Sequence, residues 1–178
     1  MNKNPSFKEE QLLWDRGLNY IAAADEVGRG AFAGPLVAAS VVLPKKFKTN
    51  GIKDSKLLTS KKREILSEYI IKNALFYSIS EVGVEFINKY GIGEATHKGL
   101  KESVELLKKQ CDFVLVDGFK IKNYKKKQKA MIHGDLLSVS IAAASIIAKV
   151  YRDNLMRNLH LKYKEYNFLE NKGYGTKI

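Results

Sequence analysis

Four acidic residues in this sequence stand beside apolar runs, where side chains from separate segments of the chain can converge. They are Asp25, Glu26, Asp117 and Asp135. Carboxylates that lie a few ångströms apart raise each other's pKa or recruit a cation. Oxygen ligands of this kind favour Mg²⁺ or Mn²⁺ over softer metals, and a pair of such ions roughly 4 Å apart can hydrolyse a phosphodiester. The acids therefore predict a divalent-metal centre that cuts a nucleic-acid backbone.

Each acid taken alone also has a structural interpretation. Asp25 and Glu26 could form a solvated turn, and neighbours in a strand point to opposite faces, so both reach one metal only where the strand ends or bulges. Asp117 before Gly118 is a common turn signal, and Asp135 can cap a helix. The prediction of a metal centre therefore depends on the four acids acting together.

The charge of the whole chain points to a polyanionic partner. Its 178 residues include 31 Lys and Arg but only 19 Asp and Glu, which gives a formal net charge of +12. This balance favours nucleic acid over a membrane surface, because no basic amphipathic helix stands out; the alternative is that a basic surface only aids solubility. Six lysines within residues 120–129 predict a solvated basic loop or hairpin, whose alternative role is to contact phosphates.

Composition also limits the class of protein. Hydrophobic residues make up 45% of the chain and charged residues 28%, which predicts a single globular domain over residues 1–178. The one cysteine, Cys111, excludes an internal disulfide and a thiolate metal cage, and we expect it to be a small buried apolar residue. No apolar run reaches the roughly 20 residues of a membrane span. Residues 1–14 are polar and lack a signal-peptide core, so we expect a cytoplasmic protein.

Apolar runs and helical periodicity predict the elements that position the acids. Two apolar runs separated by a glycine-rich turn predict a strand hairpin, and the later strands alternate with helices. The predicted strands cover residues 21–24, 36–43, 74–84 and 113–116. The predicted helices cover residues 59–73, capped by Thr59, 94–110 and 138–162. The buried face of the first helix is predicted to hold Ile65, Leu66, Tyr69 and Ile70. This order predicts an α/β fold with a mixed sheet covered by helices.

Other familiar site motifs do not occur in the sequence. Gly28, Gly30 and Gly34 form a pattern one residue too long for the dinucleotide-binding fingerprint, and there is no phosphate-binding P-loop. The three histidines lack the spacing of zinc ligands. His133 precedes Asp135 by two residues, so it belongs either beside the site or on the surface.

The acids fall within six motifs that together resemble the ribonuclease HII family, in the same order along the chain. The motifs are Asp25-Glu26-Val27-Gly28-Arg29-Gly30 continuing to Ala39, Asp54-Ser55-Lys56, Val116-Asp117-Gly118, Gly134-Asp135, residues 140–150 with Arg152-Asp153, and Gly173-Tyr174-Gly175-Thr176. One such motif is moderately specific, whereas the ordered set is highly specific.

The resemblance implies an RNase H-like fold, in which a mixed central β-sheet is flanked by α-helices. A C-terminal segment from about residue 163 would carry the Gly-Tyr-Gly-Thr motif. The resemblance implies an endonuclease that hydrolyses the RNA strand of RNA–DNA hybrids and cuts at single ribonucleotides embedded in duplex DNA. Two bound Mg²⁺ or Mn²⁺ ions, and products with 5′-phosphate and 3′-hydroxyl ends, belong to the same implication. We expect a monomer with no membrane partner.

The resemblance also assigns roles to single residues. The family's catalytic metal ligands match Asp25, Glu26, Asp117 and Asp135. The segment Gly28-Arg29-Gly30 matches the loop that contacts the ribose 2′-hydroxyl, the group that distinguishes RNA from DNA. Tyr174 matches the tyrosine that stacks at the RNA–DNA junction, and its alternative is a C-terminal core anchor. Lys56 is expected to contact a phosphate, and its alternative is a surface lysine.

Two other functions fit parts of the same sequence. A nuclease with a related two-metal centre could act on DNA alone, and it would cleave duplexes with and without a 2′-hydroxyl equally. A basic nucleic-acid binder, with its acids in turns and caps, would bind in a salt-dependent manner without cleavage. The complete set of four acids argues against the binder.

Overall fold

The computed structural model describes residues 4–107 and 111–176, and its centre is one five-stranded sheet. The strands are β1 (Ile21–Val27), β2 (Leu36–Val42), β3 (Phe76–Val82), β4 (Phe113–Asp117) and β5 (Gln128–Met131). Their spatial order is β3-β2-β1-β4-β5. The β1–β2 and β2–β3 pairs are antiparallel, whereas the β1–β4 and β4–β5 pairs are parallel. The predicted mixed sheet and its opening hairpin are therefore confirmed.

Within the described residues, six helices accompany the sheet. They are α1 (Lys8–Trp14), α2 (Ser60–Asn73), α3 (Val84–Glu105), α4 (Gly134–Leu137), α5 (Val139–Lys162) and α6 (Phe168–Asn171), with 3₁₀ turns at Ser55–Leu57 and Lys164–Tyr166. The predicted cap of α2 is confirmed, because the Thr59 hydroxyl accepts a hydrogen bond from the Lys62 amide. In no described range is a helix both long enough and apolar enough to cross a bilayer.

The two faces of the sheet are covered by different helices, because successive side chains of a strand point to opposite sides. Ala39 of β2 packs in the cluster that contains the apolar residues of α5 and Leu66 of α2. The next residue back, Ala38, packs in the cluster that contains Leu100 and Val104 of α3. The first half of α5 is buried nearly all round, as its apolar composition predicts.

Some predicted boundaries are wrong. The strand predicted to end at residue 84 ends at Val82, and α3 begins at Val84 rather than at Glu94. Gly91 kinks α3 with a φ of +82°, and this break hides the first two turns from a search for helical periodicity. Residue 110, the predicted end of this helix, lies outside the described residues. Ile65 is exposed, and Ser67 takes a buried place on α2 instead.

Strand β5 and helices α1, α4 and α6 were not predicted from the sequence. Strand β5 occupies part of the lysine-rich segment, and its four residues, Gln128 to Met131, have no apolar alternation. Helix α1 lies in a stretch that composition marks only as polar, and α4 is a single turn. Strand β5 and helix α4 matter for function, because they carry the chain from the sheet edge to Asp135.

Candidate active site

The carboxyl ends of β1 and β4 place two acids side by side. The parallel pairing of these strands ends at Ala24 and Val116, so Asp25 and Asp117 are the next residues along two adjacent strands. Asp25 is 5% exposed and accepts a hydrogen bond from the Glu26 amide, with a nitrogen–oxygen distance of 2.7 Å. The sheet therefore brings together two of the predicted ligands that are far apart in sequence.

Glu26 reaches the same place from the other face of β1. Strand β1 continues through Asp25 and Glu26 to Val27 by pairing with β2, so a solvated turn at these acids is wrong. Its pairing with β4 has already ended at this point, and both acids line the same cleft. Both acids were expected to reach one metal only where the strand ends or bulges. This condition is met on the β4 side of β1, where pairing stops, but not on the β2 side, where pairing continues.

The connection from β5 to α4 brings in the fourth acid. Met131 of β5 pairs with Asp117, and His133 adopts a left-handed φ of +54° that turns the chain into α4. The Gly134 amide then donates a hydrogen bond of 2.6 Å to Oδ1 of Asp117. Asp135 lies in the first turn of α4, so it is not the cap residue of that helix.

All four acids line one cleft with a volume of about 400 Å³. The complete lining is Asp25, Glu26, Val27, Ser55, Lys56, Asp117, Asp135, Ser145, Lys149 and Tyr174. It includes six of the nine residues that the sequence analysis assigned to the site. The other three, Gly28, Arg29 and Gly30, lie outside the lining, although Nη1 of Arg29 is 4.0 Å from Oε1 of Glu26.

Burial and mutual repulsion disfavour the charged forms of these acids. Desolvation, followed by repulsion from Glu26 and Asp117, raises the pKa of Asp25 well above its usual range, and the Ser145 hydroxyl opposes this rise. Desolvation and then the charge of Asp117 raise the pKa of Glu26 to about 7. The same two causes, in the same order, raise the pKa of Asp135, while Lys56 lowers it. A nearby cation would relieve all three effects.

The residues present fit a hard divalent cation. The four acidic residues of the cleft offer carboxylate oxygens, the ligand type that suits Mg²⁺ and Mn²⁺. Oε2 of Glu26 is buried and has no hydrogen-bond partner among the described residues, so it has a lone pair to offer. Within residues 4–107 and 111–176, no three His, Cys, Asp or Glu side chains are already grouped as a metal site. A bound cation would therefore have to draw the carboxylates closer together.

Two lysines add positive charge to the cleft. Nζ of Lys56 lies 3.8 Å from Oδ2 of Asp135, and the Lys56 side chain is 81% exposed. Its backbone is fixed because Asp54 accepts a hydrogen bond from the Lys56 amide. Lys149 on α5 donates a 2.6 Å hydrogen bond to Asp153. Lys56 is therefore exposed and held only by a long ion pair with Asp135, whereas Lys149 is held by a short hydrogen bond to Asp153.

Arg152 fastens the C-terminal segment to the glycine-rich loop. The side chain is fully buried and donates three hydrogen bonds of 2.9 Å, to the carbonyl oxygens of Ala33, Pro35 and Lys172. Its guanidinium carbon also lies 5.2 Å from the ring centroid of Tyr174. These contacts hold the half-buried Tyr174 at the cleft wall, so the tyrosine is anchored and exposed to the cleft at once.

Gly28 is required by the same packing. Its φ is +103°, and a Cβ atom there would lie 2.6 Å from Nε of Arg152 and 2.9 Å from the Pro35 carbonyl oxygen. By contrast, a Cβ atom at Gly30 would meet nothing within 4 Å. Gly28 thus lets its backbone pack closely against Arg152 and Pro35 of the same chain. This packing role was not predicted from the sequence.

The remaining sequence candidates have plainer surroundings. Cys111 is buried, as expected. His133 is exposed and does not line the cleft. Within the lysine-rich segment, Lys122 pairs with Glu94 and Lys129 pairs with Glu9, so part of its charge is neutralised within the protein.

Lys149 and Arg152 fall within a motif quoted from the sequence, but neither was given a role there. Both belong to α5, whose first half is apolar nearly all round. A charged side chain on a helix that is buried on most sides requires a partner. That contrast is the signal that could have found these two residues.

Known proteins resemble this chain in sequence and in fold. The family model for ribonuclease HII matches residues 22–178. A ribonuclease HII from Caldanaerobacter subterraneus subsp. tengcongensis is 47% identical over 168 residues, which are 94% of this chain and 70% of the relative. Another, from Desulfitobacterium hafniense, is 47% identical over 170 residues, which are 96% of this chain and 65% of the relative. The solved ribonuclease H2 of Pyrococcus horikoshii OT3 superposes with a TM-score of 0.76 at 30% identity, covering 89% of this chain and 82% of that one.

Proposed function

This chain belongs to the ribonuclease HII family, whose members are endonucleases of the ribonuclease H class, and we propose that it hydrolyses the RNA strand of RNA–DNA hybrids. We extend the proposal to cleavage at single ribonucleotides embedded in duplex DNA, with 5′-phosphate and 3′-hydroxyl products. The observation that carries the proposal is the convergence of four acids on one cleft in a chain of net charge +12. Such a surface attracts a polyanion toward an acidic centre.

The proposed ligands for divalent ions are the four acids of the cleft. Two bound Mg²⁺ or Mn²⁺ ions would supply an activated water and would neutralise charge on the departing 3′-oxygen. Asp117 is the central member of the set, because its charge raises the pKa of Asp25, Glu26 and Asp135 alike. The Gly134 amide holds one oxygen of Asp117, and this leaves the other oxygen for a cation.

Recognition of the substrate is proposed for residues at the rim of the cleft. The loop Gly28-Arg29-Gly30 would contact the ribose 2′-hydroxyl, and its arginine already points toward Glu26. Tyr174 would stack on the nucleotide beside the cut, a contact worth roughly 1–3 kcal/mol in other proteins. Lys56 would contact a phosphate with its exposed ammonium group.

We further propose that the protein works as one catalytic domain, as a monomer, and in the cytoplasm. The chain spans 70% and 65% of the lengths of the two relatives compared above.

A set of three duplexes tests the proposed function. One is an RNA–DNA hybrid, the second is DNA with a single ribonucleotide, and the third is the same DNA without it. We expect cleavage of the first two in Mg²⁺ or Mn²⁺, none in EDTA, and no cleavage of the all-DNA duplex. Equal cleavage of the two DNA-based duplexes would instead indicate a DNA nuclease. Salt-dependent binding without cleavage would indicate a basic binding protein.

A further inference from the structure

Phe119 provides an aromatic surface just beyond the end of β4. It follows Asp117 by two residues, and its amide donates a 2.8 Å hydrogen bond to the Asp117 carbonyl oxygen. Its ring is partly buried against the α3 side of the sheet core. The edge of the His97 ring supports it from α3, with ring centroids 5.0 Å apart and an interplanar angle of 73°. The position of this ring is therefore fixed by the core and by the strand that carries Asp117.

Arg29 lies across this surface. Its guanidinium carbon is 5.1 Å from the centroid of the Phe119 ring, within the range of a cation–π contact. The Arg29 side chain is 53% exposed, and its acidic neighbour Glu26 is 4.0 Å away. Gly28 and Gly30 flank it and contribute no side-chain support. The Phe119 ring face and the Glu26 carboxylate therefore both restrict where the guanidinium can lie, and both offset the rotamer entropy that an exposed arginine loses when it is held.

We propose that Phe119 is a positioning residue that holds Arg29 beside Glu26 of the cleft and thereby strengthens the preference of the site for ribose over deoxyribose. The inference rests on the proposed function, because it assumes that Arg29 takes part in contacting the 2′-hydroxyl. It adds a physical link between the loop that would sense the sugar and the strand end that would hold the metal. The same segment, residues 117–119, carries both an acid of the cleft and the support of the arginine.

Substitution of Phe119 tests this link through selectivity rather than through activity alone. We expect Phe119→Ala to weaken binding of the single-ribonucleotide duplex by about two- to fivefold, the range of an exposed cation–π contact. The affinity of Phe119→Ala for the matched all-DNA duplex should differ from that of the wild-type protein by less than about twofold. The turnover number kcat should change less than KM, because Phe119 does not line the cleft. Phe119→Trp should keep the preference, since a larger aromatic face still accepts the guanidinium.

Phe86→Ala is the matched control. Phe86 is also partly buried in a cluster of the α3 side, and Lys98 lies over its ring with Nζ 5.5 Å from the centroid. Loss of this second cation–π contact should leave the ribose preference unchanged. A double substitution, Arg29→Ala with Phe119→Ala, should be no less selective than Arg29→Ala alone, because the two residues act through one contact.

The measurements on Phe119→Ala and on the wild-type protein distinguish failure of the positioning role from failure of the proposed function. If the wild-type protein cleaves the single-ribonucleotide duplex selectively and folded Phe119→Ala keeps the full preference, the positioning role is overturned and the proposed function stands. Additive losses from Arg29→Ala and Phe119→Ala would overturn the role as well. If the wild-type protein shows no preference between the two duplexes, both the proposed function and this inference are overturned.

Discussion

At the scale of single residues, the carboxyl groups of the cleft are held where their charged forms are unfavourable. The pKa of Glu26 rises from an ordinary 4.5 to about 7, and the pKa of Asp25 rises as well. A carboxyl group whose pKa is raised on folding binds more protons in the folded state than in the unfolded one. Between the two pKa values the folded state therefore loses stability as the pH rises. A bound cation would remove this loss, so the arrangement favours metal binding over stability.

Glu26→Gln should change how stability depends on pH. In EDTA, the free energy of unfolding of the wild-type protein should fall between about pH 4.5 and pH 7, the interval over which the folded Glu26 retains its proton. The variant should show a smaller fall and be more stable at pH 8, by at most on the order of 3 kcal/mol. Urea unfolding at pH 5 and pH 8 measures this. Exposed Glu68 on α2 supplies the control Glu68→Gln, and equal slopes for wild type and Glu26→Gln would contradict the account.

Gly134→Ala should disturb Asp117 without touching its charge. A Cβ atom at Gly134 would lie 2.6 Å from Cδ1 of Ile141 and 3.1 Å from Oδ1 of Asp117. The Ile141 side chain, the Asp117 carboxylate or the backbone must therefore move, and we expect cleavage to slow by at least about tenfold, as misplaced groups near a metal typically cause. The control is Gly93→Ala on α3, where a Cβ atom meets nothing within 4 Å. Wild-type turnover by folded Gly134→Ala would show that this close packing has no bearing on the site.

At the scale of elements, helix α1 fastens the junction from which Asp135 projects. Glu10 of α1 is fully buried, and its Oε1 accepts hydrogen bonds from the Ser138 hydroxyl and the Ser140 amide at the start of α5. Backbone hydrogen bonds between Ser6 and the α4–α5 junction join the same two segments. A carboxylate at a helix N-terminus is also favoured by the helix dipole. Helix α1 therefore belongs to the support of the site, although it lies before the residues that the family model matches.

Glu10→Ala should destabilise the protein by about 1–3 kcal/mol, because it leaves buried donors at the start of α5 without an acceptor. Glu10→Gln keeps an acceptor oxygen and should cost less than the alanine variant. Glu9→Ala, which removes only the pair with Lys129 at the surface, is the neighbouring control. Denaturant unfolding of the three variants gives the order. If Glu10→Ala and Glu9→Ala were equally stable, the cap would have no measurable effect.

Arg152→Lys should loosen the C-terminal segment while keeping the positive charge. A lysine has one ammonium group and lacks the planar fork, so it cannot replace the three hydrogen bonds that converge on Ala33, Pro35 and Lys172. We expect faster proteolysis near Tyr174 and a higher KM for the nucleic acid. Arg157 lies on the same helix as Arg152 and makes a partly exposed ion pair with Glu64 of α2, so Arg157→Lys is the control. Unchanged proteolysis and unchanged KM would show that docking does not depend on the fork.

At the scale of the whole molecule, the sequence predicted the elements that have strong periodicity and the acids that follow them. The predictions of the β1–β2 hairpin, the Thr59 cap and the buried start of α5 are confirmed. Each depends on residues that are close together in the sequence. From the residues alone, the four acids were predicted only to stand where side chains from separate segments can converge. Their shared cleft depends on the parallel register of β1 and β4, which joins residues about ninety positions apart.

The elements missed from sequence are those whose stability comes from packing. Strand β5 is rich in polar residues and pairs only because β4 lies beside it. The kink at Gly91 and the buried fork of Arg152 likewise depend on contacts between distant segments. The family resemblance gave roles to Gly28-Arg29-Gly30 and Tyr174, but the internal contacts that hold them could not be deduced from motifs.

The central claim is that the four acids together support metal-dependent cleavage beside a ribose. Asp117→Asn tests it most directly, because the substitution removes the charge that faces the other three acids and preserves the size of the side chain. With a single-ribonucleotide duplex in Mg²⁺, we expect cleavage to fall by at least about a hundredfold while the folded structure is retained. Asp15→Asn, just beyond the end of α1, should cleave like the wild type. Undiminished Mg²⁺-dependent turnover by Asp117→Asn would contradict the account.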